Sequence, residues 1–483
     1  MNRPPIVTIL GHVDHGKTTL LDTIRKSRLT AKEAGGITQR IGGYEIDTQI
    51  KGYETSKITF IDTPGHEAFA QLRSRGAQVA DIAILVIDAN DSLKPQSIES
   101  IAHIKEAGIP FIVAINKIDL PTAKPDKVKR DLLKHEVVVE DMGGTVVSLP
   151  ISATAGTGIP ELLESILLIA SDLKLSYETT DPVQAYIIES KKDQRGVVAS
   201  VVIRNGKMSV GDTVHTTTGT VRIRSLINDN GKVVREVLPS SPFEMLGFSE
   251  LPEVGTFLTS KPQEQKEEEV VEVATSNKDA DFEAFMNPVQ EVKTLSVVLK
   301  ADAQGSLEAI VAALAKNENI RLILSGVGGI NRSDIFLAKT TKSIVIGFSV
   351  APDSEVRDLA KQEKVIIKTY HIIYELLDEL EEVSTLLQEK EQQEKNLKAQ
   401  AKILATFVMD GETAFGAKVT KGKINLGDPA EVYRGENLIG KTRLASLKIR
   451  AKSVQGVKKD QECGMVFSPI LDIQVGDVVK YIL

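Results

Sequence analysis

The run Gly11-His12-Val13-Asp14-His15-Gly16-Lys17-Thr18 constrains this chain more than any other stretch. It matches G-x-x-x-x-G-K-[ST], a loop whose backbone N–H groups cradle phosphate oxygens where a helix begins. The pattern needs a strand before it and a helix after it. Residues 6–10 are an apolar run of strand length, and Leu20, Leu21 and Ile24 follow at helical spacing. The expected ligand is therefore a nucleoside triphosphate.

The surrounding sequence fits that start. Over 1–175, apolar strands at 6–10, 58–62, 82–88, 111–116 and 146–152 alternate with helical stretches such as 95–107 and 125–134. Such alternation predicts a mostly parallel sheet with helices on both faces, here an α/β P-loop domain. Residues 182–260 switch to short β-branched runs at 197–204, 213–217 and 221–226, which reads as a small antiparallel β-barrel. An acidic, Glu- and Lys-rich linker is expected over 261–290. A compact α/β domain follows over 291–370. Its strands are expected at 295–300, 320–324, 344–347 and 365–367, with a helix at 306–314. Residues 371–400 carry Ile372, Ile373, Leu376, Leu377, Leu380, Val383, Leu386 and Leu387 on one helical face, which predicts a long connecting helix. The last segment, 401–483, reads as a second barrel.

The two barrels share a motif. Asn205-Gly-Lys-Met-Ser-Val-Gly-Asp212 returns as Lys421-Gly-Lys-Ile-Asn-Leu-Gly-Asp428. Matching glycines mark equivalent turns, so a shared architecture is expected over a chance recurrence of a common hairpin.

Further residues specify the ligand. Asp14, His15, Gly16, Lys17, Thr18 and Thr19 are the phosphate-loop set, with Lys17 reaching the β and γ phosphates and Thr18 binding Mg²⁺. The side chains of His12 and His15 are ambiguous and are given no chemistry. Asp14 lies on the phosphate side, where a carboxylate repels nucleotide unless screened, so a monovalent cation is a candidate partner. Asp62 ends a strand and opens Asp62-Thr-Pro-Gly65. Its carboxylate would hold magnesium through water, and the Gly65 N–H would approach the γ-phosphate. Thr38, inside the Gly-rich stretch 35–39, is a third metal candidate on a switch loop. His66 would position the attacking water. Asn116-Lys117-Ile118-Asp119 follows a buried strand. The Asp119 carboxylate can accept the guanine N1–H and amino donors, a pair adenine lacks. Asn116 would brace the loops, the Lys117 stem would cover the base, and Ser152 and Ala153 would complete the pocket, with the Ala153 N–H on guanine O6. These residues select GTP and GDP.

Composition narrows the setting. The net charge is −7, so no global basic field draws the chain to nucleic acid. A single cysteine fits a reducing compartment. The N-terminus lacks a signal-peptide pattern and no run reaches membrane length, so a cytoplasmic, monomeric protein with no membrane contact is expected.

These motifs resemble the translational GTPases. Gly36-Ile37-Thr38-Gln39 and Asp62-Thr-Pro-Gly-His-Glu67 carry the likeness, with Arg73-Ser-Arg-Gly-Ala77 and Ala114-Ile-Asn-Lys-Ile-Asp119 beside them. Lys300-Ala-Asp-Ala-Gln-Gly-Ser-Leu-Glu-Ala-Ile310 and Ser325-Gly-Val-Gly-Gly-Ile330 narrow it to bacterial translation initiation factor 2, whose third domain general elongation GTPases lack. The resemblance implies a factor that meets both ribosomal subunits, promotes formylmethionyl initiator tRNA binding and subunit joining, and hydrolyses GTP when the ribosome triggers it. It also implies a tRNA-end site in the last barrel, carried here by Lys448, Arg450, Lys452, Glu462, Cys463 and Gly464. From Ala401 onward there are 13 lysines and arginines against 9 aspartates and glutamates. That local positive excess suits an acceptor end. There are departures. The chain starts at the GTPase domain, as a short member or a trimmed form would. Gln39-Arg40 stands where the family usually has Gln-His. Ala417 replaces a cysteine, and Ile449 an aromatic. These last changes leave open a ribosome-binding assembly GTPase without tRNA recognition. An elongation-type tRNA carrier is disfavoured by 300–310.

Overall fold

The computed structural model describes residues 1–25, 38, 42–65, 67–217, 219–261, 294–409, 412–435, 437–450 and 452–482. All of the linker expected over 261–290 except Lys261, together with His66 and most of 35–40, therefore lies outside the described residues. The chain forms two compact units that part within a long helix, between Glu381 and Glu382.

The first unit begins with a six-stranded sheet. Its strands are β1 (Ile6–Gly11), β2 (Gly42–Asp47), β3 (Lys57–Asp62), β4 (Ile82–Asp88), β5 (Phe111–Asn116) and β6 (Val147–Pro150), in the order β2-β3-β1-β4-β5-β6. Only β2 runs antiparallel, along the edge beside β3. The helices are α1 (Lys17–Arg25), α2 (Ala70–Val79), α3 (Pro95–Ala107), α4 (Pro125–Leu133) and α5 (Ile159–Leu173). Strands β1 and β4 are buried on both faces, as continuous apolar runs in a covered parallel sheet must be. Alternate residues feed two cores. Val7, Ile9 and Ile84 pack with Leu20, Leu162 and Ile166, while Leu10, Leu85 and Ile87 pack with Ile101, Val128 and Leu132. Strand β1 lies between β3 and β4, so strand order reverses there, and the crevice at its carboxyl end is the natural ligand position.

A curled antiparallel sheet follows, built on the hairpin Gln184–Asp193 and Gly196–Asn205. It is an open half-barrel rather than a closed ring. Among the described residues its ladder ends at Thr220–Arg222 on one side and Val233–Val234 on the other. The run expected at 221–226 is two strands, Thr220–Arg222 and Ser225–Asn228, because Ile223 turns its N–H to the Asp212 carbonyl and Arg224 to that of Leu246.

A buried ion cluster seats this half-barrel on the first sheet. Arg3 grips Asp81 through both terminal nitrogens at 2.6 Å, and Arg204 of the half-barrel reaches the same carboxylate at 2.9 Å. The Ile6 N–H donates to it as well, at 2.9 Å. Ser240 adds an Oγ bond to the Pro4 carbonyl and receives Thr59 Oγ1 on its own carbonyl.

The unit closes with a four-stranded parallel sheet in the order Ile320–Val327, Leu295–Ala301, Ile344–Phe348, Ile367–Tyr370. Helices α6 (Gln304–Leu314), α7 (Arg332–Thr341) and α8 (Ser354–Glu363) connect its strands, and α9 (Ile373–Lys395) leaves it. Asn331 caps α7 reciprocally with Asp334.

The second unit is a closed ring of six strands. Leu397–Met409 pairs with Val478–Ile482 on one side and Glu412–Asn425 on the other. The connecting helix thus stops at Lys395, not at 400. The reason is alternation: Ala399, Ala401 and Ile403 all turn into the ring's core, so period two has already replaced period 3.6. The repeated motif makes the same turn in both sheets. Gly206 and Gly422 have φ of +73° and +70°, and Gly211 and Gly427 have +98° and +85°. Asp212 accepts the Ser209 N–H as Asp428 accepts that of Asn425. No helix among the described residues is long and apolar enough to cross a membrane.

Candidate functional site

The crevice at the carboxyl end of β1 is lined by the phosphate loop and the turns after β3 and β5. Gly11 has φ +142° and Gly16 +89°, conformations that side chains rarely adopt. A Cβ at Gly16 would overlap Asn116 Nδ2. The loop delivers Lys17, Thr18 and Thr19 as the first turn of α1, where the helix leaves backbone N–H groups without intrahelical partners. Lys17 is buried and donates from Nζ to the His12 carbonyl at 2.7 Å. Burial lowers its ammonium below the ordinary lysine range, against the pull of Asp62. A Cβ at Gly65 would collide with Lys17 Nζ and stand 3.1 Å from the Val13 nitrogen, so glycine is what lets this turn approach the loop.

The three metal candidates meet. Thr18 Oγ1 and Thr38 Oγ1 are 2.7 Å apart, and Thr38 Oγ1 donates to Asp62 Oδ2 at 3.1 Å. One carboxylate and two hydroxyls form an all-oxygen, hard donor set, which fits Mg²⁺.

At the other end of the crevice, Asn116 joins two loops. Its Nδ2 donates to the His15 carbonyl at 2.9 Å, and its Oδ1 accepts the Ala153 N–H at 2.9 Å. Asn116 thus ties the His15 carbonyl to the Ala153 N–H. The Ala153 N–H, expected on the base, is instead committed to Asn116. Asp119 is exposed, and its Oδ1 accepts Ser152 Oγ at 2.6 Å, which aims the carboxylate. Lys117, at φ +62°, ties its ammonium to Asp88 Oδ2 at 2.8 Å. Burial alone would raise Asp88, but hydrogen bonds from Lys117 and Asn90 hold it below the usual carboxylate range.

His15 is buried, its Nδ1 lies 3.3 Å from the Val86 carbonyl, and burial with His12 nearby pushes it down to about 4. It is neutral at pH 7. Asp14 is exposed, with φ +64°. Three partners escape sequence reasoning. Gln96 Oε1 accepts the Val13 N–H at 3.0 Å. Asp88 anchors Lys117. Arg73, fully buried, donates to the Pro64 carbonyl at 3.0 Å and pairs with Glu99 at 2.7 Å, bracing the turn that carries Gly65. Only Asp88 leaves a signal, an aspartate closing an apolar strand as Asp62 does.

Comparison with known proteins accounts for this arrangement. Residues 2–172 match the Elongation factor Tu GTP binding domain, 182–261 the Elongation factor G domain 2, and 271–381 Translation-initiation factor 2. Translation initiation factor IF-2 of Halothermothrix orenii is 42% identical over 495 residues, which cover 99% of this chain and 71% of that protein. The chain belongs to the translation initiation factor IF-2 family. Its IF-2 relatives from Carboxydothermus hydrogenoformans and Desulforamulus reducens are 43% and 42% identical over 99% of the chain. The chain spans 59% and 50% of their lengths. Among solved structures, GDP-bound aIF5B from Aeropyrum pernix is similar along 100% of this chain and 92% of its own, at 28% identity and a TM-score of 0.47.

The second unit holds Lys448, Arg450, Lys452, Glu462, Cys463 and Gly464, expected from the sequence at a tRNA end. Lys448, Arg450 and Lys452 are exposed around one hairpin, and Lys448 pairs with Gly464 on the next strand. Glu462 is exposed beside them. Cys463 is not part of that surface. It is 6% exposed, packs in the ring's core opposite Ala417, and burial pushes its thiol up to about 11. Strand alternation explains the correction: between outward Glu462 and Gly464, Cys463 must point inward.

Proposed function

We propose that this chain binds and hydrolyses GTP in the cytoplasm as a monomeric initiation factor. It promotes formylmethionyl initiator tRNA binding to the ribosome and joining of the subunits. The observation that carries the reading is the meeting of Thr18, Thr38 and Asp62 beside Lys17 and Gly65. One residue of a switch loop, one of the phosphate loop and one of the strand before Gly65 share a single oxygen cluster, so the γ-phosphate region holds both switches.

In this reading, the phosphate-loop N–H groups and Lys17 bind the phosphates. Thr18, Thr38 and Asp62 would hold Mg²⁺, which supplies charge neutralisation on the phosphate oxygens. A monovalent cation beside Asp14 would screen its carboxylate. Asp119, aimed by Ser152, selects guanine. His66 orients the attacking water, and ribosome contact completes that orientation. Isolated GTPases of this design are slow, on the order of 10⁻⁴ to 10⁻³ per second, so strong ribosomal stimulation is expected. The exposed cluster of Lys448, Arg450, Lys452, Glu462 and Gly464 receives the tRNA end.

The test is GTP turnover by the full chain with and without ribosomal subunits, alongside binding of formylated and unformylated initiator tRNA. His66→Ala should lose the stimulated rate and keep GTP binding. Equal stimulated rates in variant and wild type would remove His66 from the reaction. Inward-facing Ala417 and Cys463 favour one second reading, an assembly GTPase without tRNA recognition. Stimulated turnover with no preference for the formylated species would select it.

A further inference from the structure

The segment 300–310 marks the family, yet the nucleotide site makes no use of it. Its place in the fold is a three-way joint. Lys191, in the half-barrel strand Gln184–Asp193, bridges by main chain to Ala303. Arg75 of α2 pairs with Glu308 of α6 at 2.7 Å. Between these contacts lies Glu189, 4% exposed. Its Oε1 accepts the Ser190 N–H at 2.9 Å and the Gly305 N–H at 3.1 Å, so a residue of the half-barrel caps the first turn of α6. Its Oε2 is buried and has no hydrogen-bond partner among the described residues. Gly305 has no room for a side chain. A Cβ there would stand 2.8 Å from Glu189 Oε2 and 2.7 Å from Leu72 Cδ2 of α2.

We propose that Glu189 is a proton-operated latch on this joint: neutral, it holds the first turn of α6 against the half-barrel and α2; ionised, it loosens that hold. A carboxylate with two N–H donors ordinarily settles as an anion. Here burial outweighs those donors, and Asp302 and Glu308 add like charge, lifting Glu189 from 4.5 to about 7. The cations of the neighbouring elements are engaged elsewhere. Arg75 on α2 pairs with Glu308, and Lys191 on its own strand pairs with Glu244 at 2.6 Å. The sign follows from linkage. The latched state binds the proton more tightly, so the hold is full below pH 4.5, falls as pH rises through about 7, and is level above that. Within the window each pH unit changes the latching equilibrium by up to about tenfold. Because α2 follows the Gly65 turn, the joint's use in signalling rests on the GTPase reading. The latch itself does not.

The experiment is hydrogen exchange of peptides covering 302–308 in the full, nucleotide-free chain between pH 5.5 and 8.5, corrected for intrinsic exchange. Wild type should lose protection severalfold per unit up to about pH 7 and then level off. Glu189→Gln keeps the acceptor without the charge and should hold high protection at every pH. Glu189→Ala should be low throughout while peptides of the first sheet keep theirs. A merely structural cap would give flat wild-type protection. That result, or a Glu189→Gln profile that keeps the wild-type slope, would overturn the proposal. Neither outcome depends on GTP turnover, so failure here leaves the functional reading untouched.

Discussion

Asn116 is the residue on which both halves of the nucleotide site depend. Asn116→Ala removes two hydrogen bonds of 2.9 Å at once and leaves the His15 carbonyl and the Ala153 N–H without their partner. An unsatisfied buried group costs about 1–3 kcal/mol, so the pair amounts to about 2–6 kcal/mol. In the free variant the two loops separate and take water instead. Nucleotide must then bring them back, and the cost appears in binding. Even the lower figure corresponds to an affinity loss of about 30-fold. GDP and GTP should weaken alike, because the brace touches the shared phosphates and the base. Asn116→Asp separates the two arms. It keeps the acceptor for Ala153, removes the donor to His15 and sets a carboxylate against a carbonyl oxygen, so it should bind more weakly than the alanine variant. The assay is titration with a fluorescent guanine nucleotide, with far-UV circular dichroism to establish folding. A folded Asn116→Ala chain within threefold of wild type would refute the reasoning.

Other outcomes follow from single contacts. Gly65→Ala places a methyl on Lys17 Nζ, so GTP affinity should fall at least about tenfold while GDP affinity changes less, read by paired titrations. Equal losses would mean that Gly65 does not sense the γ-phosphate. At pH 8 a thiol titrating near 11 is about 10⁻³ thiolate, so Cys463 should label slowly in the folded chain and fast in denaturant. Rapid native labelling would move it out of the core. Asp81→Asn strips the carboxylate from Arg3 and Arg204, and loss of a buried pair costs about 3–5 kcal/mol. Denaturant unfolding should register it as an earlier first transition, and a shift below about 1 kcal/mol would mean that the cluster is replaceable.

The legible parts of this molecule were those with a local signature. Residues 82–88 and 111–116 are strands because every position is apolar or buried, and the helix at 95–107 announces itself by a proline at its start and a glycine past its end. The crevice was legible because phosphate binding needs glycine at fixed offsets. Strand β2 carries no such signature, since Gly42-Gly43 opens it and its residues are half-buried. Helix α7 carries none either, because its buried face is only Asp334, Ile335 and Ala338. Arg73, Gln96 and Glu189 belong to a different class. Each acts on a backbone group 9, 83 or 116 residues away, and no periodicity encodes such a partner. Cys463 differs again: its inward direction follows from strand alternation and not from likeness to a family.

The cluster around Asp81 bears on how such chains can be rebuilt. Arg3 precedes the first strand, Asp81 precedes the fourth, and Arg204 and Ser240 come from the half-barrel. Arg3 and Arg204 share the Asp81 carboxylate, and Ser240 Oγ bonds Arg3 and the Pro4 carbonyl, so the two sheets form a single unit of inheritance. A half-barrel grafted in from a relative would dock only if it brought its own arginine and serine to that spot. By the same logic, a chain nicked near residue 180 should stay together as two fragments, since the Asp81 cluster, the Ser240 bonds and the Arg75–Glu308 pair all cross the cut.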